Sequence, residues 1–182
     1  MGTKGFDHAH GTAEIRTERL LLRRCRPEDA ETLYLELGTD PAFSRYSGWN
    51  PYATPEMARE TVQRFIEGYG SDRAYSWILD CGGRLVGTIG AYDFECDRIE
   101  VGLSIIRSCW GQGYATEALR AVLVFLTEQE GIACVTAWCA GENTGSMRAM
   151  EKAGMVRTAA EKDALEVCGK TYDKHTYEYR AR

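Results

Sequence analysis

The sequence predicts a mixed α+β (α/β) domain in which helices flank a central mixed, mostly antiparallel sheet. Three observations support this fold class. A strand, a glycine turn and a helix follow one another in the middle of the chain, hairpin signals precede that unit, and a further helix and hairpin follow it. One strand–helix–strand crossover among hairpins gives a sheet that is antiparallel except at the crossover.

The central unit runs from Arg98 to Gly131. Its first part alternates apolar and polar residues with the period of a half-buried strand, and Glu100 falls on the polar side. Its last part repeats apolar residues at helical spacing and ends at Gly131, a residue type typical of a helix C-cap. The apolar positions are Ile99, Val101, Leu103 and Ile105 in the strand, and Ala115, Ala118, Leu119, Val122, Leu123 and Leu126 in the helix.

A turn that contains Gly111 and Gly113 joins this strand to this helix. A glycine turn that opens a helix leaves several backbone N–H groups unpaired at the positive end of the helix dipole, which suits an anion. The turn therefore predicts a site for the diphosphate of a nucleotide-like cofactor. Because Gly-x-Gly is a common pattern, a tight connection without a ligand is the alternative.

The elements before the central unit are predicted from local signals. Residues Arg19–Arg26 form a first strand. A helix opens at Pro27–Asp29, with a proline and acidic residues in its first turn, and ends at Gly38. An aromatic loop over Thr39–Tyr52 leads to a second helix, for which Thr54 is the N-cap. Apolar residues at helical spacing give both helices a buried face.

Two strands and a hairpin turn come next. Ala74–Asp80 and Leu85–Tyr92 are predicted strands, and the glycine pair within Cys81–Arg84 is a hairpin signal. Asp93–Asp97 is then expected to turn the chain into the central strand. These two hairpins make the first half of the sheet antiparallel.

The chain after the central helix closes the sheet. Ile132–Cys139 is a nearly all-apolar run, which is typical of a strand covered on both faces. Asn143 is expected to cap a short helix that reaches Gly154. Met155–Glu161 and Tyr172–Arg180 are predicted as two closing strands.

Length and charge limit the possible partners. The 182 residues suit a single domain, which we place at residues 14–182, with residues 1–13 as a disordered leader or a remnant of expression. The net charge is −5 and no Lys/Arg run stands out, so nucleic acid is a poor candidate partner. No apolar stretch is long enough to span a membrane. We expect a monomer or a homodimer.

The seven cysteines indicate a reducing compartment. Their number is odd and no Cys-x-x-Cys occurs, so reduced thiols in the cytoplasm are the expectation. Since a zinc site would need closely spaced ligand pairs, no metal site is predicted. His8 and His10 could hold a stray metal ion, but they fall in the expected leader.

A dinucleotide-binding Rossmann domain is an alternative interpretation of the glycine turn. Its fingerprint requires a third glycine where Thr116 stands, and an acidic residue after the next strand, which Glu142 could supply. Hairpins rather than βαβ repeats precede the turn. The missing glycine and these hairpins argue against this fold.

Three longer motifs carry a resemblance to a known family. They are E-R-L-L-L-R with P-E-D-A near the start, I-E-V-G-L followed by W-G-Q-G-Y-A-T-E-A in the middle, and N-T-G-S-M-R-A-M-E-K-A-G-M towards the end. In this order and spacing, the chain resembles the GNAT N-acetyltransferase superfamily, specifically its RimJ/RimL-like branch. The resemblance implies a GNAT-like sheet with a splayed pair of central strands.

The resemblance implies that the cofactor is acetyl-coenzyme A. The family's Gln/Arg-x-x-Gly-x-Gly/Ala pattern falls on residues 110–115, with Trp110 in place of Gln or Arg. The turn's backbone amides would bind the diphosphate, and the pantetheine arm would lie like an extra strand beside Leu103–Ile105. Asn143 would hydrogen-bond the arm or only cap its helix. The predicted cofactor site consists of Leu103, Ser104, Ile105, Trp110, Gly111, Gln112, Gly113, Tyr114, Ala115, Thr116, Asn143 and Ser146.

The chemistry that the resemblance implies is the attack of a primary amine on a thioester. Such a reaction needs a base, a donor for the oxyanion and a proton for the leaving thiolate. Glu100 is the candidate base, acting through water, although it could also be a surface or ion-paired carboxylate. Ser146 could contact the thiol or relay a proton, or only cap its helix. A backbone amide in the Leu103–Ile105 region is the candidate oxyanion donor, and further candidate proton donors are Tyr172, Tyr177, Tyr179 and His175.

The acceptor amine is not specified by these motifs. The aromatic loop is expected to border the acceptor pocket, where Tyr46 and Trp49 could stack on a flat or cationic substrate, with Glu100 as the third acceptor-binding residue. Core packing of the loop is the alternative. The resemblance allows a protein N-terminus or a small-molecule amine as acceptor. It also leaves open a non-catalytic acyl-coenzyme A-binding or sensing module.

Overall fold

The structure is a computed structural model, which describes residues 10–181. The strands are β1 (Ile15–Arg16), β2 (Leu21–Arg23), β3 (Tyr75–Cys81), β4 (Arg84–Glu95), β5 (Arg98–Ile105), β6 (Cys134–Ala140), β7 (Val156–Val167) and β8 (Lys170–Arg180). The helices are α1 (Asp29–Leu33), α2 (Pro55–Gly68), α3 (Tyr114–Val124) and α4 (Thr144–Ala153). Two π-helical turns, Tyr34–Gly38 and Phe125–Gln129, extend α1 and α3. The strands form one sheet in the order β1-β2-β3-β4-β5-β6-β8-β7, which confirms the predicted mixed α+β fold.

The two central strands separate after a short parallel contact. All other neighbouring strands are antiparallel, whereas β5 and β6 are parallel and pair over Arg98–Glu100 and Cys134–Thr136. Beyond Glu100 the described sheet contains no ladder between these strands, so β5 pairs with β4 alone over Val101–Ile105. The backbone groups of β5 that point towards β6 are therefore open to another partner. This opening confirms the splayed pair of central strands.

Helices cover both faces of the sheet. Ser76 and Trp77 are consecutive in β3 and so face opposite sides. The Ser76 hydroxyl lies 3.5 Å from the hydroxyl of Tyr69, which follows α2, while Trp77 packs edge-on against Phe125, at 5.7 Å between ring centroids. Thus α1 and α2 lie on one face and α3 on the other. The cross-strand register places Glu100 on the face of α1 and α2.

Several local signals in the sequence correspond to observed caps and turns. The Thr54 hydroxyl oxygen accepts a hydrogen bond from the Met57 N–H at 3.2 Å and caps α2 as predicted. The hairpin turn between β3 and β4 has positive φ at Gly82 and Gly83. After α3 and its π-helical turn, the chain leaves the helix at Gly131, where φ is +69°.

Some strands begin or end at other residues than predicted, because the extent of pairing with the neighbouring strand sets their boundaries. The first strand was expected over Arg19–Arg26, but only Leu21–Arg23 aligns with β3, because the chain then turns into α1. The turn expected at Asp93–Asp97 is narrower. β4 continues to Glu95 through an irregularity in its pairing with β5, and positive φ at Cys96 and Asp97 reverses the chain.

The closing hairpin is longer than expected. The predicted strands Met155–Glu161 and Tyr172–Arg180 belong to β7 and β8, which extend to a turn at Cys168 and Gly169. The strand predicted over Ile132–Cys139 corresponds to β6, which starts later, at Cys134. The residues before it lead the chain from the π-helical turn back to the sheet. These differences lengthen or shift strands and leave their order unchanged.

The folded chain begins before residue 14. The Thr12 hydroxyl donates to the Ala74 carbonyl at 2.6 Å and accepts from the Ser76 N–H at 3.0 Å. The indole N–H of Trp77 donates to the Ala13 carbonyl at 2.6 Å. Residues 10–13 are thus held against β3, which corrects the expected leader of residues 1–13, and residues 1–9, with His8, lie outside the described part.

Candidate active site

The splay places two helix N termini at one end of the sheet. Because β5 and β6 are parallel and α3 and α4 follow them, both helices begin at the same edge. The β5 residues Leu103, Ser104 and Ile105 line the open side of the splay and are half-buried. The site therefore combines free backbone groups of a strand with the positive ends of two helix dipoles.

The glycine turn has the shape of an anion cradle. Gly111 and Gly113 have φ of +75° and +84°, and a Cβ on Gly111 would meet nothing within 4 Å. Within residues 10–181, the backbone N–H groups of residues 111–116 donate to no backbone carbonyl outside the helix. The first turn of α3 starts here, with Tyr114, Ala115 and Thr116. These unpaired donors and the open space fit the diphosphate of a nucleotide-like cofactor.

Trp110 ties this turn to the end of the central strand. Its indole N–H donates to the Ile105 carbonyl at 2.7 Å, while 54% of the residue remains exposed. The amide of Gln112 donates to the Ser108 carbonyl at 3.1 Å and closes the turn from the other side. Trp110 thus acts on the turn through its side chain, a role that its position in the motif does not indicate.

Asn143 and Ser146 stand at the start of α4. The Asn143 Oδ1 atom accepts a hydrogen bond from the Ser146 N–H at 3.1 Å, so Asn143 is the N-cap of this helix. Cys139 at the end of β6 lies beside Ser146. Burial raises the pKa of the Cys139 thiol to about 11, although a hydrogen bond with Ser146 acts in the opposite direction. The thiol is therefore protonated at neutral pH.

Glu100 lies in a cavity of about 270 Å³ on the face of α1 and α2. Its Oε1 atom accepts a hydrogen bond from the indole N–H of Trp138 at 2.9 Å. The ammonium group of Lys174 lies 5.3 Å from the centroid of the Trp138 ring. The cavity is lined by Asp93, Glu95, Cys96, Arg98, Ile99, Glu100, Thr136, Trp138, Lys174 and Thr176.

Tyr92 borders this site from β4. It is the cross-strand partner of Glu100, and a Cβ on Gly102 would lie 2.7 Å from its hydroxyl oxygen, so the Tyr92 ring extends over Gly102. Burial, followed by the nearby charge of Glu100, raises the pKa of Tyr92. Glu100 thus lies between the Trp138 indole, which donates to it, and the Tyr92 side chain on the neighbouring strand.

The motifs and local patterns of the sequence did not predict Tyr92, Trp138 and Lys174 as residues of this site. An alternation count along each strand places each of them on the same face as Glu100. That count becomes informative only when the strand order is known, since it makes β4, β5, β6 and β8 neighbours. Strand order is a long-range property that no local pattern in the chain specifies.

The predicted acceptor residues Tyr46 and Trp49 lie apart from this cavity. Tyr46 packs edge-on against Tyr172 at 5.6 Å between ring centroids, and Trp49 is 62% exposed. Ion pairs connect the loop that carries them to both sides of the splay. Asp40 lies 3.4 Å from Arg107, and Arg45 lies 3.7 Å from Glu142. The loop crosses the sheet end where β5 and β6 diverge.

The other candidate proton donors contact residues outside the Glu100 cavity, within the described part of the chain. The Tyr177 hydroxyl donates to Glu151 of α4 at 3.2 Å, and the His175 Nδ1 atom lies 3.2 Å from the Met147 sulfur. Tyr179 packs near Gly154, and Tyr172 packs with Tyr46. Thus none of these four lines the cavity within the described residues.

Metal ligands, membrane spans and cysteines remain to be placed in the described part of the chain. Among residues 10–181, no three His, Cys, Asp or Glu side chains gather as a metal site would require. No helix in the described range is both long and apolar enough to cross a membrane. All seven cysteines are free thiols.

Comparisons with known proteins agree with this architecture. Residues 19–156 match the family described as acetyltransferase (GNAT) domain. The uncharacterized N-acetyltransferase YoaA of Bacillus subtilis is 27% identical over 167 residues, which cover 90% of this chain and 94% of the relative. A GNAT-family acetyltransferase from Bacillus anthracis, solved by crystallography, is 27% identical with a TM-score of 0.81 and covers 92% of this chain and 98% of its own.

The fold is also shared with more distant acetyltransferases. RimL, a ribosomal alpha-N-protein acetyltransferase solved in complex with coenzyme A, has a TM-score of 0.82 at 19% identity, covering 92% of this chain and 98% of its own. The family match extends over most of the chain and includes the splay, the glycine turn and Glu100. The chain belongs to the GNAT acetyltransferase family.

Proposed function

We propose that this acetyltransferase moves the acetyl group of acetyl-coenzyme A to a primary amine by direct attack of the amine on the thioester. The observation that carries the proposal is the opening between β5 and β6. It has the glycine turn at one end and the cavity of Glu100 on the acceptor side. A cofactor arm and an amine can meet there from opposite faces of the sheet.

The cofactor half of the proposal uses backbone groups. The N–H groups of residues 111–116 would hold the diphosphate, with the Thr116 hydroxyl able to contribute. The backbone of Leu103–Ile105, whose Ile105 carbonyl already accepts from Trp110, would pair through its remaining groups with the pantetheine arm, whose amides alternate like those of a strand. Asn143 keeps its amide N–H₂ group for the arm, because only its Oδ1 atom is used in capping. Acetyl-coenzyme A would supply the thioester carbonyl, and an amide near Ser104 would hydrogen-bond its oxygen.

The acceptor half of the proposal centres on Glu100. Its carboxylate would take the proton from the amine, directly or through water, while Trp138 holds the carboxylate in place. Tyr92 would close the same site from β4, and Lys174 would add a positive charge near the acceptor. Ser146, at the start of α4 beside the splay, would return a proton to the leaving thiolate.

The chemistry of the base favours an α-amine over a lysine side chain. A lysine amine has a pKa of about 10.4 and an α-amine about 7.7–8.0, a difference worth roughly 3.5 kcal/mol in deprotonation near pH 7. A single carboxylate is a weak base, so the more acidic ammonium group is the better acceptor. Protein N-termini and small α-amino compounds are the acceptor classes that this argument supports.

Calorimetric titration tests the cofactor half. We expect micromolar binding of acetyl-coenzyme A and no binding of NAD, which distinguishes this turn from a dinucleotide site. The acceptor half is tested by thiol release with two peptides, one with a free N-terminus and no lysine, and one with a blocked N-terminus and a lysine. Faster release with the first peptide supports the proposal. Binding without release for any amine would instead support an acyl-coenzyme A-sensing module, and no binding would overturn both.

A further inference from the structure

We propose that Arg19 and Glu117 form a clamp that holds the glycine turn in its diphosphate-binding shape before the cofactor arrives. The inference rests on the proposed function, because it assumes that residues 111–116 bind the diphosphate of acetyl-coenzyme A. Arg19 belongs to the first motif, and Glu117 lies in the first turns of α3. Neither residue was predicted to act in the site.

Both carboxylate oxygens of Glu117 accept hydrogen bonds from residues near the start of the chain. The Thr17 hydroxyl and the Arg19 backbone N–H donate to its Oε1 atom at 2.6 and 2.9 Å. The Arg19 side chain donates to its Oε2 atom from Nε at 2.7 Å and lies 2.6 Å away at Nη2. Burial tends to raise the pKa of Glu117, but the hydrogen bonds from Thr17 and Arg19 outweigh it and lower the pKa.

The same guanidinium reaches the glycine turn. Its Nη1 atom donates to the Gln112 carbonyl at 2.8 Å, and its Cζ atom lies 4.7 Å from the centroid of the Tyr114 ring. A Cβ on Gly113 would meet the Nη2 atom at 3.3 Å. Arg19 therefore connects β1–β2, the turn and the helix that follows it.

Peptide geometry explains how this contact could position donors. In a trans peptide the C=O and the following N–H point in opposite directions. Because Arg19 holds the Gln112 carbonyl, the N–H of Gly113 is directed away from Arg19. Without that contact the Gln112–Gly113 peptide could rotate, since Gly113 accepts many backbone conformations.

Charge balance gives Arg19 a second effect. A carboxylate near the N-terminus of a helix stabilises the helix but opposes an anion bound at the same end. Glu117 is such a carboxylate, and the Arg19 guanidinium neutralises it at 2.6 Å. The clamp thus keeps a helix-stabilising acid beside the turn without its repulsion of a diphosphate.

The test compares Arg19→Gln and Glu117→Gln with Arg16→Gln as the matched control. Arg16 lies in the same segment but pairs only with Glu14 among the described residues. Calorimetry would measure the Kd of acetyl-coenzyme A and of S-acetylpantetheine, which lacks the diphosphate. We expect about tenfold weaker binding of acetyl-coenzyme A in both clamp variants, since each loses a charge-assisted hydrogen-bond network. The Kd of S-acetylpantetheine should stay unchanged in both clamp variants. Arg16→Gln should change neither Kd.

Glu117→Gln separates positioning from direct phosphate contact. If Arg19 acted only by touching the phosphates, releasing it from Glu117 would leave binding unchanged or tighten it, and the clamp would be wrong. Arg19→Lys gives a second check if Arg19→Gln unfolds, because lysine keeps the charge but cannot contact Glu117 and Gln112 in the same forked geometry. Weaker binding of acetyl-coenzyme A alone supports the clamp. If the unaltered protein does not bind acetyl-coenzyme A, the proposed function fails; if it binds and all variants match it, only the clamp fails.

Discussion

Trp138 in β6 donates its indole N–H to the Oε1 atom of Glu100 in β5, across 2.9 Å. Glu100 is the last residue of β5 that pairs with β6, so this contact lies where the splay begins. The indole therefore orients a carboxylate at the point where the two central strands separate. Three predictions concern the residues around this opening, and a fourth concerns a buried ion pair near the start of the chain.

Glu100→Gln tests the base. The amide keeps the size of the side chain and can still accept from Trp138, but it cannot take a proton from the amine. We expect kcat to fall by about 100-fold, the typical contribution of a general base, while the Kd of acetyl-coenzyme A stays unchanged. The rate of thiol release over a pH series measures kcat. Glu161→Gln, at an exposed carboxylate, is the control. An unchanged rate at every pH would mean that Glu100 is not the base.

Trp138→Phe and Trp110→Phe should separate the two halves of the site. Each variant keeps an aromatic ring and loses one indole N–H donor, to Glu100 or to the Ile105 carbonyl. A lost hydrogen bond to a carboxylate is worth about 1.5–3 kcal/mol. We expect Trp138→Phe to raise the KM of the amine and Trp110→Phe to raise that of acetyl-coenzyme A. Steady-state kinetics with each substrate varied in turn would measure both KM values for each variant. Two variants that raised the same KM would contradict the prediction.

Gly111→Ala tests the anion cradle with a matched control. Gly111 and Gly169 have φ of +75° and +73°, and a Cβ on either would meet nothing within 4 Å. Both alanine variants should therefore lose about 1–2 kcal/mol of unfolding free energy, the cost of left-handed backbone for a residue with a Cβ. Only Gly111→Ala places a methyl group in the cradle, so only this variant should bind acetyl-coenzyme A more weakly. Urea unfolding and calorimetry measure the two effects separately.

Local signals in the sequence predicted the turns and caps well. Thr54 caps α2 because its hydroxyl is next to the free N–H groups of the helix start, and the Gly82–Gly83 hairpin follows from two positions that favour positive φ. These features depend on neighbours a few residues away. The alternation in β5 predicted the side on which Glu100 lies for the same reason.

Long-range partners were beyond such reasoning. The motif that contains Arg19 was known to matter only through a family resemblance, and the contact of Arg19 with Glu117 spans almost a hundred positions. Trp138 comes to Glu100 because β5 and β6 are adjacent in the sheet, and that adjacency depends on the crossover through α3. The pairing of β1 with β2, and the seating of Thr12 against β3, likewise required partners that no local period specifies.

Asp29→Asn tests a buried ion pair between the two segments of the first motif, E-R-L-L-L-R and P-E-D-A. Arg23 donates from Nη1 and Nη2 to the two Asp29 oxygens, both at 2.8 Å, and the side chains are about one-tenth exposed. Breaking a buried pair costs about 3–5 kcal/mol. Arg23 keeps a second carboxylate partner, Asp80 at 3.1 Å, so the loss should fall at the lower end of this range. We expect a loss of this size at pH 7 in urea unfolding. Glu31→Gln, at an exposed carboxylate of the same helix, should have little effect.

The pH dependence of this loss follows from the direction of the pKa shift. Burial tends to raise the pKa of Asp29, but hydrogen bonds from Arg23 and the Arg26 N–H outweigh it, and the folded pKa is lowered. The stabilisation is thus present above the unfolded pKa of about 3.9 and is lost as the pH falls through the folded value. The stability difference between the unaltered protein and Asp29→Asn should therefore begin to shrink below about pH 4, the unfolded pKa, and should disappear only below the lower folded pKa, where both side chains are neutral. A stability difference that stayed constant from pH 7 to pH 3 would show that charge is not what Asp29 contributes.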